Sequence, residues 1–212
     1  MRMIIFFVDQ ILKNLHLSDV LDIEKLNNIN KPIHLANGLP NECYTSLEYL
    51  AHERKKIFFD KWTVIGVGNS IPNIGDVSPY NLLGIPLLLI RNMKIRVFHN
   101  VCSHRGLKLV DKKCTLKTVI RCPYHSWSYD FQGKLLATPH IGGMNNHSSP
   151  DFDKAKSKLK EVRTKIWMDI IFVNINENEI NFDEYIKPLE EIWSQFINKA
   201  DQDLIVHSND FG

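Results

Sequence analysis

Two stretches of the sequence decide how the rest is interpreted: NVCSHRGLK at residues 100–108 and RCPYHSWSYDFQGKL at residues 121–135. Each stretch supplies one cysteine and one histidine, as Cys102-x-His104 in the first and Cys122-x-x-His125 in the second, with 17 residues between the two halves. Thiolates and imidazoles bind zinc and also bind iron–sulfur clusters. The four side chains are therefore candidate ligands of one metal site.

The order of these ligands separates two kinds of metal site. Structural zinc sites usually place their two cysteines close together and their two histidines close together, whereas here each loop carries one of each. A [2Fe–2S] cluster with two cysteines on one iron and two histidines on the other needs this mixed order, because each loop must contact both irons. The sequence favours the two-iron cluster, and a structural zinc site is the alternative.

Histidine ligation also predicts the redox behaviour of such a cluster. Neutral imidazoles replace two anionic thiolates, so the cluster carries less negative charge and accepts an electron more readily. Potentials of roughly −150 to +300 mV are typical, against about −400 mV for the all-cysteine plant-type clusters. The ligand pattern therefore indicates an electron-transfer protein.

Short runs of β-prone residues, separated by turn residues, occupy the middle of the chain. Strands are expected at residues 61–67, 77–82, 87–91, 95–99, 118–121, 127–129, 134–137, 162–167 and 170–175. Short strands at this spacing are typical of an antiparallel β sandwich or barrel. Each cysteine loop follows one of these runs, so both loops can emerge at the same end of one sheet.

Helices are predicted on both sides of the strands. Thr45-x-x-Glu48 matches a capping box and predicts a helix that continues toward Lys56. Apolar residues at helical spacing predict an amphipathic helix over residues 182–197, with Pro188 as the candidate site of a kink. A further helix is predicted at residues 9–17.

Composition and charge exclude several classes of function. The chain has 212 residues, of which 44% are hydrophobic and 24% charged, as in soluble globular proteins. The formal net charge of +2 is too small to indicate nucleic acid or an acidic membrane surface as a partner. The basic run KAKSKLKEVRTK, from Lys154 to Lys165, is interpreted as a solvated face, with docking of an acidic partner as the less favoured alternative.

The N-terminus and the remaining cysteines indicate a cytoplasmic protein. The apolar run from Met3 to Val8 stops at Asp9, and it is too short for a signal-peptide core or a membrane span. Cys43 and Cys114 have no neighbouring histidine, so we expect them to be inert thiols. In the cytoplasm the thiolates would stay reduced and available for iron.

The two cysteine stretches resemble the Rieske loops of the α subunits of Rieske non-haem iron oxygenases, the ring-hydroxylating and quaternary-amine-oxidising family. LPNECYTSLEYLAHERKKIFFDKWTVIGVG at residues 39–68 resembles the helix and first strand that precede those loops. KIWMDIIFVNI at residues 165–175 resembles the hairpin that closes the domain. The similarity runs from about Leu39 to Phe196 and covers the N-terminal Rieske portion of the family only.

The resemblance implies a mainly β fold with flanking helices, namely a Rieske-type antiparallel β sandwich with a cluster-binding subdomain. Cys102 and Cys122 match the cysteine ligands of the [2Fe–2S] cluster, and His104 and His125 match the histidine ligands. The implied organisation has three parts: an N-terminal arm (1–40), the Rieske domain (41–180), and a helix and linker toward a catalytic domain (181–212).

Other loop positions also match the family. Arg105, Gly106 and Trp127 correspond to residues that pack around the cluster. Ser126 stands where the family often has glycine, which implies a change in local backbone freedom without loss of the site.

Family oxygenases also hold a mononuclear Fe(II), through two histidines and a carboxylate, in a C-terminal catalytic domain. Here the chain ends at Gly212 without a recognisable motif of that kind. His140, His147 and Asp151 offer the required residue types, but they lie in a loop rich in Gly, Asn, Ser and Pro, which argues against a site there. We therefore assign no catalytic residue and expect that iron only in the missing domain.

The implied function is electron transfer within an oxygenase terminal component, to a mononuclear iron that activates O₂ for hydroxylation. A free-standing Rieske ferredoxin-like carrier is the alternative. A ferredoxin or flavin reductase is the expected electron donor, and a catalytic oxygenase domain or subunit is the expected acceptor. The resemblance further implies a homotrimer, in which the cluster of one subunit serves the iron of its neighbour.

Overall fold

A computed structural model of the protein describes residues 22–177 and 180–200. The chain divides into two compact units, residues 1–61 and residues 62–212. The helix predicted at residues 9–17 lies outside the described residues. The predicted boundaries of the arm, the domain and the linker stay a prediction.

The described part of the first unit is helical. Its elements are α1 (Ile23–Ile29), α2 (Glu42–Thr45), α3 (Leu47–Glu53) and a π-helical segment (Arg54–Phe59). The helix predicted toward Lys56 is therefore present, and its last turns are wider than an α-helix.

The start of α3 differs by one residue from the predicted capping box. Ser46, not Thr45, is the N-cap, and its Oγ accepts a hydrogen bond from the backbone N–H of Tyr49 at 3.1 Å. Thr45 instead ends α2, where its hydroxyl donates to the carbonyl oxygen of Asn41 at 3.0 Å. Ser46 has extended backbone angles, which an N-cap requires, so the hydroxyl that caps the helix is the one at the break between α2 and α3.

The described part of the second unit contains ten strands. They are β1 (Thr63–Val67), β2 (Asp76–Leu82), β3 (Ile85–Arg91), β4 (Ile95–His99), β5 (Cys114–Thr115), β6 (Ile120–Arg121), β7 (Ser128–Tyr129), β8 (Leu135–Ala137), β9 (Glu161–Trp167) and β10 (Ile170–Asn174). Two short 3₁₀ helices, Gly68–Ser70 and Lys154–Ser157, lie between strands. All the predicted strands are confirmed, with ends that differ by at most two residues, and β5 was missed.

The strands form two antiparallel sheets. The larger sheet has the order β1-β10-β9-β4-β3-β2-β5, and the smaller has the order β6-β7-β8. The predicted fold class, an antiparallel β architecture with flanking helices, is therefore confirmed.

One hydrophobic core joins the small sheet to the large one. Strand β3 reads IPLLLIR, and its four consecutive residues 87–90 are all buried, as expected for a strand covered on both faces. Leu88 and its cross-strand partner Phe98 belong to the same buried cluster as Tyr129 and Leu135 of the small sheet. Cys102 and Cys122 are members of that cluster too. The two cysteines are thus built into the packing between the sheets.

The amphipathic helix predicted near the C-terminus is α4 (Phe182–Ala200). Its first turns pack Phe182 and Ile186 against Trp62 and Phe172. The helix continues through Pro188, which lacks an N–H and cannot donate to the preceding turn. Within residues 22–177 and 180–200, no helix combines the length and the apolar composition that a bilayer span requires.

We expect the substitution Gly133→Ala to destabilise the junction between the two sheets. Gly133 has φ +83°, and an added Cβ would lie 2.6 Å from Cε1 of the buried Phe98 ring. Left-handed backbone strain and overpacking together should lower the free energy of unfolding by about 2–4 kcal/mol, measured by urea denaturation.

Gly143→Ala is the matched control, because Gly143 also has a positive φ of +112° but has no heavy atom within 4 Å of the added Cβ. It should cost only the backbone strain, roughly 1–2 kcal/mol. Equal losses for the two variants would show that the contact with Phe98 is unimportant.

Candidate metal centre

The first cysteine loop, residues 100–110, leaves the large sheet after β4. The N–H of Cys102 donates to the carbonyl oxygen of Leu107 at 2.8 Å, and the N–H of Gly106 donates to the carbonyl oxygen of Cys102 at 2.9 Å. The fully buried amide of Asn100 closes the base of the loop. Its Nδ2 donates to the carbonyl oxygen of Val110 at 2.7 Å, and its Oδ1 accepts from the N–H groups of residues 109 and 110.

The second cysteine loop, residues 122–127, joins β6 to β7 and repeats the same backbone pattern. The N–H of Cys122 donates to the carbonyl oxygen of Trp127 at 2.8 Å, and the N–H of Ser126 donates to the carbonyl oxygen of Cys122 at 3.0 Å. In both loops the residue four positions after the cysteine has a left-handed backbone, with φ +72° at Gly106 and +58° at Ser126. The conformation of the loop explains why glycine is favoured at this position.

The two loops do not leave one end of a single sheet, as the sequence had led us to expect. The first loop follows a strand of the seven-stranded sheet, and the second lies within the three-stranded sheet. The interpretation was wrong because local strand patterns do not specify which sheet a strand joins. The packing of the two sheets against each other brings the loops together instead.

The two thiols of the loops are buried side by side. Cys102 and Cys122 are each only 2% exposed. Burial, together with the neighbouring Cys122, raises the pKa of the Cys102 thiol, so thiolates here need a cation beside them. The hydroxyl of Tyr129, on β7, lies 3.2 Å from the Sγ of Cys102.

The two imidazoles form a second pair, less buried than the thiols. The ring centroids of His104 and His125 are 4.9 Å apart, and the His104 ring stacks on the buried Trp127 at 4.5 Å. Burial, and then the neighbouring charges of His125 and Arg105, lower the pKa of His104 and so favour the neutral form that binds metals. The Nδ1 atom of His125 is buried and has no hydrogen-bond partner.

This donor set fits a two-iron cluster. A paired set of thiols and a paired set of imidazoles, presented by opposing loops, match the ligands that such a cluster takes. A buried imidazole nitrogen without a partner is uncommon in proteins unless another group satisfies it, and a metal does so. No three His, Cys, Asp or Glu side chains within residues 22–177 and 180–200 converge as the ligands of a single metal ion.

The other candidate triad does not form such a group in the described structure. His140 and His147 do lie together, with ring centroids 5.0 Å apart, and the N–H of His140 donates to Nδ1 of His147 at 3.1 Å. Asp151 does not join them in a three-residue metal group. Pro139, His140 and Ile141 instead line a cavity of about 530 Å³ together with His104, Arg105 and residues 124–127.

Sequence reasoning missed three residues that support the site. Asn100 braces the first loop, Tyr129 contacts the sulfur of Cys102, and Phe152 packs edge-on against Trp127 at 5.4 Å. Asn100 and Tyr129 lie within the two stretches that identify the loops, so a search for buried polar groups there could have found them. Phe152 lies 25 residues beyond Trp127, and no local pattern connects the two.

Comparison with known proteins assigns this region. A family model described as the Rieske [2Fe-2S] domain matches residues 61–148, which include all four candidate ligands. The chain contains a Rieske domain. The cofactor of this domain family is the [2Fe–2S] cluster, as the order of the ligands had indicated.

Relatives of the chain are subunits of oxygenases. The 2-aminobenzenesulfonate 2,3-dioxygenase subunit alpha of an Alcaligenes species is 30% identical over 161 residues, which are 74% of this chain and 40% of the relative. The carnitine monooxygenase oxygenase subunit of Escherichia coli K12 is 28% identical over 153 residues, which are 71% of this chain and 40% of the relative. The chain therefore spans about 40% of the length of these relatives.

A solved structure shows the same relation in three dimensions. The apo form of a quaternary ammonium Rieske monooxygenase aligns with a TM-score of 0.66 at 28% identity, over 76% of this chain and 46% of that one. The Rieske domain and its flanks are thus related to the N-terminal portion of Rieske oxygenase α subunits.

The left-handed backbone at Ser126 predicts that Ser126→Gly stabilises the Rieske domain. Glycine adopts φ +58° without the steric penalty that serine pays, so the free energy of unfolding should rise by roughly 0.5–1 kcal/mol in urea denaturation.

Gly106→Ala is the reciprocal test, because its added Cβ would meet only Val101 Cγ1 at 4.0 Å. We expect a loss of roughly 1 kcal/mol there. If both substitutions changed stability in the same direction, the equivalence of the two positions would be refuted.

Proposed function

We propose that this chain is the Rieske [2Fe–2S] electron-transfer portion of an oxygenase terminal component. Cys102 and Cys122 would bind one iron, and His104 and His125 the other. One observation carries the proposal: two loops with the same backbone hydrogen bonds, within a Rieske domain, present a buried cysteine pair and a histidine pair.

The protein groups around the ligands set the conditions for electron transfer. Cys102 and Cys122 lie in the core with Leu88 and Phe98, so water is excluded from their side of the site. His104 and His125 are half-buried and line the cavity, so the histidine side faces the surface. When bound, the cluster supplies reversible one-electron chemistry at roughly −150 to +300 mV. This polarity supports the proposal that electrons enter and leave the cluster through the exposed surface of the site.

The wider function rests on the relatives. They carry the names of a dioxygenase α subunit and a carnitine monooxygenase oxygenase subunit, and they are more than twice as long as the matched region. We propose that electrons pass from the Rieske domain to a mononuclear Fe(II) in a catalytic domain, where O₂ is activated for hydroxylation. A ferredoxin or flavin reductase would be the donor, in a cytoplasmic and homotrimeric assembly. Residues 41–180 would be the Rieske domain, and residues 181–212 would lead toward the catalytic domain.

Spectroscopy of the purified chain tests the proposed cluster. After anaerobic reconstitution with iron and sulfide, we expect two irons per chain, visible absorbance, and a rhombic electron paramagnetic resonance signal on reduction. His104→Ala and Cys122→Ser should abolish the signal, because each removes a ligand. A colourless protein with stoichiometric zinc would refute the proposal.

Two matched variants control for the loss of any histidine or cysteine. His34→Ala and Cys114→Ser remove exposed residues that lie outside both loops. Both should keep full iron content and the unchanged spectrum. Loss of the cluster in either control would show that the assay reports general instability instead of ligation.

We predict that the hydroxyl of Tyr129 raises the reduction potential of the cluster. A ligating cysteine carries no proton, so at 3.2 Å the Tyr129 hydroxyl is the donor to Sγ of Cys102, and it shares this proton with the Oγ of Ser103 at 2.8 Å. A hydrogen bond to the sulfur stabilises the more negative, reduced cluster and so raises the potential. Tyr129→Phe should therefore lower the potential by tens of millivolts in a spectroelectrochemical titration. Tyr124→Phe, which removes an exposed hydroxyl from the second cysteine loop, should leave the potential unchanged.

A further inference from the structure

The lysine segment, residues 154–160, is the most basic short stretch near the centre. It reads KAKSKLK, with four lysines in seven residues and no acidic residue. All four lysines are exposed. The sequence alone favoured a solvated face for this run, and the structure adds what the residues between the lysines do.

The intervening residues fasten the lysine segment to the first cysteine loop and to the core. The carbonyl oxygen of Ser157 accepts a hydrogen bond from the Oγ of Ser103 at 2.6 Å. Leu159 is buried in the same cluster as the two cysteines, and its N–H donates to the carbonyl oxygen of Gly133 at 2.8 Å. The lysines therefore project from a backbone that is held in place beside the centre.

The anchor lies next to two candidate ligands. Ser103 stands between Cys102 and His104, and its Oγ also lies 2.8 Å from the hydroxyl of Tyr129. A single hydrogen bond, from Ser103 to Ser157, thus joins the lysine segment to the loop that carries Cys102 and His104. A protein that docks on these lysines would bring its own redox group close to the centre, where electron transfer over a short distance is fast.

The charge of the segment is available to a partner. Lys156 pairs with Asp153 at 3.7 Å and Lys160 pairs with Glu177 at 3.7 Å, but exposed pairs at this distance are weak and exchange readily. Within the described residues no ion pair is recorded for Lys154 or Lys158, and Lys154 donates to the carbonyl oxygen of Leu136. The exposed Arg105 adds positive charge on the adjoining loop.

We propose that the lysine segment is the docking surface for an acidic, ferredoxin-type electron donor. The inference rests on the proposed function, since it names the partner that feeds the cluster. The surface is complementary in charge to such a donor, and charge complementarity of this kind raises association rates by about 10- to 1,000-fold at low salt.

A stopped-flow experiment tests the surface with a defined probe. A reduced, acidic plant-type [2Fe–2S] ferredoxin is mixed with the oxidised, cluster-loaded chain, and bleaching of the cluster gives a second-order rate constant. The triple substitution Lys154→Glu, Lys156→Glu and Lys158→Glu should lower this constant at least about tenfold at low ionic strength, and the difference should shrink as salt is added.

Two further triple variants isolate the effect of position from that of charge. Lys112→Glu, Lys113→Glu and Lys117→Glu make the same change in net charge beside β5, an edge strand of the large sheet, and should alter the constant less than about twofold. Lys154→Arg, Lys156→Arg and Lys158→Arg retain the charge and should retain the wild-type constant.

Photoreduction by a deazaflavin, which needs no protein docking, separates the two proposals. It should proceed equally in all variants, because Ser157 and Leu159 are untouched. The docking surface would be overturned if both glutamate triples slowed the ferredoxin reaction equally, or if the triple at Lys154, Lys156 and Lys158 did not slow it. Slowed photoreduction in that triple would overturn it too. Each of these results would leave the proposed cluster in place. A wild-type chain that holds no cluster would overturn the proposed function, and the docking surface with it.

Discussion

The placement of two cysteine side chains inside a hydrophobic core is the constraint on which the rest of this structure depends. Cys102 and Cys122 share their surroundings with Leu88 and Phe98 of the large sheet and with Tyr129 of the small one. The strands of the three-stranded sheet have only two or three residues, and the sheet shares its buried cluster with the seven-stranded sheet. The same packing that completes the core sets the distance between the cysteine loops. The packing of the two sheets therefore determines both the fold and the positions of the four candidate ligands.

The polarity of the site follows from that packing. The thiols point into the core and the imidazoles lie at the cavity, with the His104 ring stacked on Trp127 at 4.5 Å. The sulfur side is enclosed by protein and kept from solvent, whereas the nitrogen side is accessible to an approaching molecule. The lysine segment adds a second asymmetry, because the Ser157 carbonyl and the Leu159 side chain contact the rest of the domain while the lysines that alternate with them are exposed to solvent. The contacts of Ser157 and Leu159 thereby hold the lysines at a defined place beside the centre, which the sequence of the segment does not reveal.

Much of the fold and the four candidate ligands could be predicted from the sequence, since both depend on local signals. Alternating and β-branched residues predicted strands such as β4, whose bounds of Ile95–His99 are as expected. Ligand spacing predicted the paired donors. The division into two sheets could not be predicted, because pairing such as that of β9 with β4 joins residues more than sixty positions apart. Phe152 was missed for the same reason, because its contact with Trp127 exists only once distant parts of the chain have packed together.

The repeated backbone pattern of the two loops has a consequence for how such sites change over time. In each loop, two hydrogen bonds between main-chain atoms close the turn at the cysteine, while the histidine stands two positions later in one loop and three in the other. The closure itself requires only the cysteine's backbone and a left-handed residue four positions on. The closure therefore does not depend on the side chains of Arg105 in one loop or of Pro123 and Tyr124 in the other. Sequence drift can therefore diversify the rim of the centre while the scaffold that displays the ligands stays the same.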